Sequence, residues 1–98
     1  MEEIYNIKFK EDIPKYIQVA GNIKKLIESR QIKDGEKLPT IRELSNTLKV
    51  NKVTIVNAYK KLKVDGYAYQ KVGSGTYANR KATISSFNRE YSKRFTEL

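Results

Sequence analysis

Residues 38–66 read LPTIRELSNTLKVNKVTIVNAYKKLKVDG, and this stretch decides the fold of the chain. The spacing of its apolar residues predicts two short helices joined by a tight turn. Thr40 and Glu43 match a capping box, in which the first residue caps a helix and the fourth returns to it, so the first helix starts there. Asn51 is a favourable N-cap for the second helix, and Gly66 suits the residue just beyond its end.

The second of these helices has two faces of different character. One face has an apolar stripe at i, i+3, i+4 and i+7, which predicts burial against a core. The stripe consists of Ile55, Ala58, Tyr59 and Leu62. The opposite arc, at about 100° per residue, carries no acidic residue. The arc consists of Lys52, Val53, Val56, Asn57 and Lys60. Its two valines are not placed for the core, so we expect the arc to contact something outside the domain.

The flanking sequence predicts a winged helix-turn-helix. Residues 1–12 are expected to form a short strand or an arm packed on the core, and another helix should begin near Pro14. Two β-leaning runs, at residues 67–72 and 76–78, surround a Gly-Ser-Gly tip and predict a hairpin, the wing. The fold class is therefore mainly α with a small β-hairpin wing, a three-helix core plus wing over residues 13–80.

Residues 81–98 are predicted to form a C-terminal tail helix or the start of a linker. Apolar residues recur there at spacings of three, four, four and three, as in an amphipathic helix. This stripe, a candidate dimerisation surface, consists of Ile84, Phe87, Tyr91, Phe95 and Leu98. It needs a partner, which is either the domain's own core or a second copy of the chain.

The composition favours a polyanionic partner. The 98 residues, enough for one domain, include 20 Lys and Arg against 11 Asp and Glu, a net charge of +9. From residue 37 to 81 there are ten basic and two acidic residues, so this segment carries 10 − 2 = +8. No run is long and apolar enough to cross a membrane, and the N-terminus lacks a signal peptide's apolar core. Nucleic acid in the cytoplasm is therefore expected rather than an anionic membrane.

The chain contains neither Cys nor His, which excludes disulfides, thiolate catalysis, zinc fingers and imidazole acid–base chemistry. The acidic residues are scattered, and no pair has a spacing suited to catalysis. We therefore expect no enzymatic activity, metal or cofactor within these residues.

The outer arc of the second helix has the chemistry to read DNA. The major groove admits one α-helix, whose N-terminal residues meet the base edges. Lys52 can donate to guanine, Asn57 can pair with adenine, and valines can contact thymine methyls. Hydroxyl groups and helix N-termini suit phosphates, and a glycine-rich wing tip can approach DNA closely. The predicted DNA-binding residues are Thr40, Arg42, Asn51, Lys52, Val53, Thr54, Val56, Asn57, Lys60, Lys71, Gly73, Ser74 and Gly75.

Over about residues 13–80 the sequence resembles the N-terminal DNA-binding domain of the GntR family of bacterial transcription regulators. The motifs that carry the resemblance are YIQV at 16–19, DGEKLP at 34–39, REL at 42–44, VTIVNAY at 53–59, DGY at 65–67 and GSGTY at 73–77. The resemblance implies a dimer that binds palindromic operators, usually controlled by a small-molecule effector bound in a C-terminal domain. It also implies DNA contacts by Arg42, Lys52, Thr54 and Gly73.

Two positions depart from the family pattern. Lys52 stands where the family usually has Arg, so a bidentate guanine contact becomes a point-charge contact. Val56 stands where many members have a base-contacting Arg, so recognition should depend more on thymine methyls, Lys52, Asn57 and the wing. The NAY sequence at 57–59 resembles the MocR-like and YtrA-like branches. MocR-like members attach an aminotransferase-like domain that binds pyridoxal phosphate, whereas YtrA-like members carry only a short helical dimerisation tail.

Other functions stay open on the sequence alone. The chain is expected to be an operator-binding regulator or the DNA-binding domain of one. An N-terminal fragment of a MocR-like, pyridoxal-phosphate-binding regulator is an alternative. A second alternative is a winged-helix protein-interaction module, which Val53 and Val56 on the outer arc favour.

Overall fold

Three helices and a two-stranded hairpin make up the domain. A computed structural model of the protein describes residues 2–79. In chain order it contains a 3₁₀ turn at Glu2–Tyr5, α1 at Lys15–Glu28, α2 at Ile41–Leu48, α3 at Lys52–Val64, β1 at Ala68–Lys71 and β2 at Gly75–Ala78. The predicted winged helix-turn-helix is confirmed. The predicted tail helix and its stripe of Ile84, Phe87, Tyr91, Phe95 and Leu98 lie outside the described residues.

Both predicted N-caps are present, at the start of α2 and at the start of α3. Thr40 Oγ1 accepts from the Glu43 N–H at 3.0 Å, and the Glu43 carboxylate accepts from the Thr40 N–H at 3.3 Å, which completes the capping box. Asn51 Oδ1 accepts from the Val53 N–H at 2.9 Å. Between the helices Lys49 has a φ of 56°, a left-handed conformation that turns the chain directly towards α3.

The predicted inner stripe of α3 packs against α1 and α2. Its four residues, Ile55, Ala58, Tyr59 and Leu62, are at most 2% exposed. The other helices contribute Val19, Ala20, Ile23, Leu26, Ile27 and Leu44 to the same core. Tyr59 is also held at its polar end, because its hydroxyl donates to the Pro39 carbonyl at 2.7 Å. Burial raises the pKa of Tyr59 above its ordinary value, so the neutral phenol is the form that fits this site.

The N-terminal arm forms a 3₁₀ turn rather than a strand. It packs against α1 and α2, where there is no strand edge for it to join. Ile4 is 1% exposed and belongs to the core. Three more side chains of the arm pack partly against that core: Tyr5, Ile7 and Phe9. Gln18 of α1 fixes the following segment, because its amide donates to the Lys10 and Ile13 carbonyls at 2.9 and 2.7 Å.

The hairpin differs from the prediction at its tip. Strands β1 and β2 are antiparallel, with Lys71 opposite Gly75, so Val72 lies beyond the first strand rather than within it. The turn closes early because the Ser74 N–H donates to the Lys71 carbonyl at 3.0 Å, and Gly73 has a φ of 77°. The wing tip is therefore Val72, Gly73 and Ser74.

Residues 35–38 run beside β2 and attach the wing to the loop that leads into α2. The Gly35 N–H donates to the Ala78 carbonyl at 2.8 Å, and the Leu38 N–H donates to the Thr76 carbonyl at 2.9 Å. Because the same loop ends in the cap of α2, the wing and the helix-turn-helix have a fixed relative position.

The base of the wing is tied to α1 and to the end of α3. The Tyr67 hydroxyl donates to a Glu28 carboxylate oxygen at 2.9 Å, and the Lys24 ammonium lies 5.3 Å from the centre of the Tyr67 ring. The Asn79 amide donates to the Gly66 carbonyl at 2.9 Å. Burial, followed by the hydrogen bond to Glu28, raises the pKa of Tyr67 to about 12.

Tyr67→Phe tests how much the hydrogen bond between Tyr67 and Glu28 contributes to stability. Near neutral pH it should lower the free energy of unfolding by about 1–2 kcal/mol, since it removes a partly buried hydrogen bond to a carboxylate. The pKa of Tyr67 rises from 10.0 to about 12 on folding, so the wild-type chain loses stability as the pH rises through this range. The loss should be about 1 kcal/mol near pH 11. The variant has no hydroxyl to ionise, so its deficit should narrow at alkaline pH.

Urea unfolding near pH 7 and near pH 11 measures both effects, with Tyr69→Phe as the matched control at an exposed tyrosine of the wing. A deficit of the same size at both pH values would contradict the assignment of this titration to Tyr67.

Candidate nucleic-acid interface

The N-terminal end of α3 is open to solvent. Asn51, Lys52 and Val53 are all exposed, and Val53, at 60%, shows far more of its surface than a core valine would. The side-chain oxygen of Asn51 serves the cap, which leaves its NH₂ group to donate elsewhere. Within residues 2–79, Lys52 has no acidic partner. This helix end therefore presents a cation, an amide donor and an apolar group together.

The remaining predicted residues of α3 continue the same surface. Lys60 is exposed, and Thr54, Val56 and Asn57 are half-buried at the margin between solvent and core. Asn57 also lines a shallow cleft with Tyr16 of α1, so it lies at one edge of the surface. We use the name outer face of α3 for Lys52, Val53, Val56, Asn57 and Lys60.

Thr40 and Arg42 stand at the start of α2 and are both exposed. The Thr40 oxygen accepts within the capping box, so its proton can donate outward, for example to a phosphate. The Arg42 guanidinium has no carboxylate partner among residues 2–79. In a helix-turn-helix the first helix crosses the DNA backbone, and these two side chains have the chemistry for that contact.

The acidic residues near this surface are already engaged. Between residues 37 and 79 the only acids are Glu43 and Asp65. Glu43 accepts in the capping box, and Asp65 pairs with Lys61 at 3.3 Å, one turn away along α3. The positive charge of Arg42 and Lys52 is therefore not neutralised by a local carboxylate and stays available to a polyanion.

Tyr77 organises the side chains of the wing. The Lys71 ammonium lies 4.7 Å from the centre of the Tyr77 ring, and the Tyr69 ring stacks on it at 5.8 Å between centres. The Ser74 and Tyr77 hydroxyls hydrogen-bond to each other. Lys71 and Ser74 are thereby held near the same tyrosine, whose ring packs within the wing.

The two glycines of the wing have different surroundings. A Cβ added at Gly73, with φ 77°, would meet nothing within 4 Å among the described atoms, so this position is open to an approaching partner. A Cβ added at Gly75, with φ 139°, would lie 2.9 Å from the Lys37 Cε atom. Gly75 therefore leaves room for Lys37.

Lys37 and Val72 are candidates that sequence reasoning missed. Lys37 pairs with Tyr77 in a β-bridge, which carries its side chain across β2 to the wing. The local sequence does not predict that Lys37 lies at the wing, because only the pairing of residues 35–38 with β2 brings its side chain to that position. Val72 is 100% exposed at the wing tip. The sequence predicted that Val72 belongs to the first strand, but the turn closes one residue early and leaves Val72 at the wing tip.

Residues 2–79 contain no cluster of three side chains that could hold a metal ion. Over the same residues, no helix is both long and apolar enough to span a bilayer.

The fold and the exposed basic surface define a winged helix-turn-helix protein. Residues 15–78 match the family described as bacterial regulatory proteins, gntR family, and this match covers more than half of the chain. The chain therefore belongs to the GntR family of bacterial regulatory proteins.

Three relatives illustrate the similarity. The arabinose metabolism transcriptional repressor of Geobacillus stearothermophilus is 37% identical over 68 residues, which cover 69% of this chain and 19% of the repressor. YtrA from Sulfolobus acidocaldarius, a GntR-family transcription factor, is 30% identical with a TM-score of 0.71, over 91% of this chain and 98% of that chain. AraR(DBD), solved in complex with operator ORX1, is 32% identical with a TM-score of 0.66, over 72% of this chain and 92% of that chain.

The chain spans only part of many relatives. It covers from 15% to 64% of the length of three curated transcriptional regulators that it matches. The similarity therefore concerns the winged helix-turn-helix domain.

Alanine at the two wing glycines should separate their roles. Gly75→Ala should destabilise the chain by about 2–3 kcal/mol, because a φ of 139° is essentially restricted to glycine. Gly73→Ala should cost only about 1 kcal/mol, because its φ of 77° lies near the left-handed region and its Cβ meets open space. Urea unfolding of both variants measures the difference. Equal losses would contradict the distinct surroundings described for the two positions.

Proposed function

We propose that the chain is a sequence-specific transcription regulator of bacteria, or the DNA-binding part of one, which binds a palindromic operator as a homodimer in the cytoplasm. The observation that carries the proposal is the outer face of α3. It is free of acids, begins at an exposed helix N-terminus and exposes Lys52 and Val53 together. Similarity to AraR(DBD), solved with operator DNA, supports the same conclusion.

The N-terminal half of α3 enters the major groove in this proposal. Lys52 donates to guanine O6 or N7, and Val53 and Val56 contact thymine methyl groups. Asn57, at the edge of the outer face, contacts an adjacent base or sugar. Because Val56 has no polar atoms in its side chain, specificity depends strongly on apolar contact with thymine and on Lys52.

Phosphate contacts flank the base contacts. Thr40 and Arg42 from α2, together with Asn51, Thr54 and Lys60 from α3, bind the backbone on either side of the groove. The wing adds Lys71, Ser74, the open backbone at Gly73 and the neighbouring Gly75, beside which the Lys37 side chain lies. Each phosphate that a basic side chain neutralises releases counterions, so affinity should fall steeply as salt rises.

Lys37 extends this scheme beyond the residues that the sequence predicted. Its side chain passes Gly75 at the start of β2 and belongs to the same wing as Lys71. An ammonium group there can bind a phosphate between the wing and the start of α2. The wing contact would then depend on two lysines that lie far apart in the sequence.

Dimerisation and effector control are the finer parts of the proposal. A palindromic operator requires two recognition helices related by a two-fold axis, and the stripe within residues 81–98 is the surface offered for that pairing. The similarity to YtrA over nearly its whole chain favours the branch with a short tail over the MocR-like branch. A small-molecule effector would act through a region outside the described residues.

Selection from a random duplex pool tests the proposal directly. The full chain should enrich an inverted repeat, with thymine-rich positions near guanine in each half-site. Failure to enrich any sequence at physiological salt would overturn sequence-specific binding.

One observation favours a second function, a protein-interaction module. Val53 and Val72 are 60% and 100% exposed, and apolar groups of this kind also suit a protein partner. A protein-interaction module would bind selected and scrambled duplexes equally. Preference for one sequence at physiological salt argues against this alternative.

Lys52→Ala should weaken binding to the selected duplex by about tenfold or more, since a good base contact is worth about 1–3 kcal/mol. Its loss on a scrambled duplex should be smaller, because only the general charge term is removed there. Lys61→Ala is the matched control. It makes the same charge change in the same helix, but Lys61 pairs with Asp65 and lies off the outer face.

Fluorescence anisotropy on both duplexes over a series of salt concentrations measures these losses. Equal losses for Lys52→Ala on the two duplexes would reduce Lys52 to a phosphate contact. If Lys52→Ala and Lys61→Ala weakened affinity for the selected duplex equally, the outer face of α3 would have no special role in recognition.

Replacing Tyr91 and Phe95 by Ser should separate dimerisation from DNA contact. The double variant should have the solution mass of a monomer and bind the full palindrome at least tenfold more weakly, because two linked half-sites bind far more tightly than one. Its affinity for a single half-site should match that of the wild type. Light scattering and anisotropy measure the two properties, and an unchanged dimer mass would reject this stripe as the dimer surface.

A further inference from the structure

A groove lies between α1 and the C-terminal end of α3, outside the outer face of α3. Ile17 and Gly21 line it from α1, and Leu62 and Asp65 line it from α3. Its volume is about 160 Å³, comparable to one large apolar side chain. The floor is apolar, and Lys61 and Asp65, which pair with each other, stand at its rim.

Apolar side chains beside this groove are exposed. Ile17, which lines the groove from α1, is 37% exposed, as is Ile13 just before α1, and Val64 is 85% exposed at the end of α3. Single exposed apolar residues are ordinary, but Ile17 lines this groove, and Val64 directly precedes Asp65, which also lines it. Together with the groove they form a surface that nothing in residues 2–79 covers.

Gly21 lies in this groove and has no evident role within residues 2–79. It stands in the middle of α1, where glycine is less favourable than almost any other residue. A Cβ added there would meet nothing within 4 Å among the described atoms, so the close packing of those residues does not require glycine. A glycine on a helix surface lets a second helix approach unusually closely.

The chain leaves the described domain next to this groove. The Asn79 N–H donates to the Tyr67 carbonyl at 2.8 Å, and its amide donates to the Gly66 carbonyl at 2.9 Å. Gly66 directly follows Asp65, which lines the groove. Asn79, the last described residue, is therefore held beside the residue that follows Asp65, near one end of the groove.

We propose that the chain's own tail covers this groove, with Ile84 and Phe87 packed over Gly21 between Ile17 and Leu62. The four residues from 80 to 83 can extend about 13 Å, roughly the diameter of a helix with its side chains. Ile84 and Phe87 open the apolar stripe that the sequence places in the tail.

The chain's own tail is a better candidate for this groove than a separate partner. The tail is joined to the groove through Asn79, so it is present at a high effective concentration. Phe87 has a size that suits the groove, and the other stripe residues, Tyr91, Phe95 and Leu98, remain free for a second copy. The tail would then join the DNA-binding domain rigidly to its dimer surface. This inference does not depend on DNA binding.

Gly21→Gln in the full chain tests the proposal by the sign of its effect. If the groove is empty, the variant should raise the melting temperature by about 4 °C, because Gln is a much better helix former than Gly. If the tail covers Gly21, the new side chain obstructs it, and the melting temperature should fall. In a Phe87→Ser background, where the tail no longer packs well, Gly21→Gln should raise the melting temperature again.

Thermal unfolding at equal protein concentration gives the four values of this cycle. A fall in the wild-type background and a rise in the Phe87→Ser background support the proposal. A rise in both backgrounds, or a fall in both, overturns it.

Disulfide trapping identifies which tail occupies the groove. The chain has no cysteine, so Gly21→Cys can be combined with Ile84→Cys, Phe87→Cys or Asn88→Cys without competing thiols. At least one pair should oxidise within a single chain, seen as a faster-migrating monomer on a non-reducing gel. Covalent dimers alone would assign the groove to the tail of a second copy, and no disulfide in any pair would leave the tail elsewhere. Both results contradict the proposal.

Discussion

The structure depends on one helix burying one face while the opposite face stays free. The inner stripe of α3 makes this possible, because Ile55, Ala58, Tyr59 and Leu62 supply the centre of the core from a single helix. Tyr59 has the additional task of joining α3 to α2 through the Pro39 carbonyl. Because the buried inner stripe fixes α3 against the core, the helix keeps its position while Lys52 and Val53 are exposed to solvent. The exposure of the outer face of α3 is thus a consequence of core packing on the opposite side of the same helix.

Electrostatics and the wing follow from that arrangement. Glu43 accepts in the capping box of α2 and Asp65 pairs with Lys61, so neither of these acids pairs with Arg42 or Lys52. Residues 35–38 pair with β2 and then lead into the cap of α2, which gives the wing a fixed place beside the helix-turn-helix. Tyr67 anchors the base of the wing to α1 through Glu28. Helix termini, charges and wing therefore form one connected surface.

The helices and their caps could be predicted from the sequence because they depend on neighbours in the chain. Thr40 with Glu43, Asn51, and the stripe of α3 all follow from spacings of two to four residues, and the structure has them as predicted. Features that depend on tertiary pairing could not be predicted. The position of Lys37 beside Gly75 needs the pairing with β2, and Gln18 holds an arm whose form no local pattern reveals. Val72 moved to the wing tip because the turn closed one residue early. Base contacts by individual residues stay predictions, since they involve a partner molecule.

The central claim is that the outer face of α3 and the wing form one DNA-binding surface. Two-dimensional NMR of the full chain, titrated with a duplex selected from a random pool, tests it most directly. We expect the largest backbone amide shifts at residues 40–43, 51–57 and 73–75, with little change along the exposed side of α1. Largest shifts on α1, or shifts spread evenly over the basic residues, would contradict it.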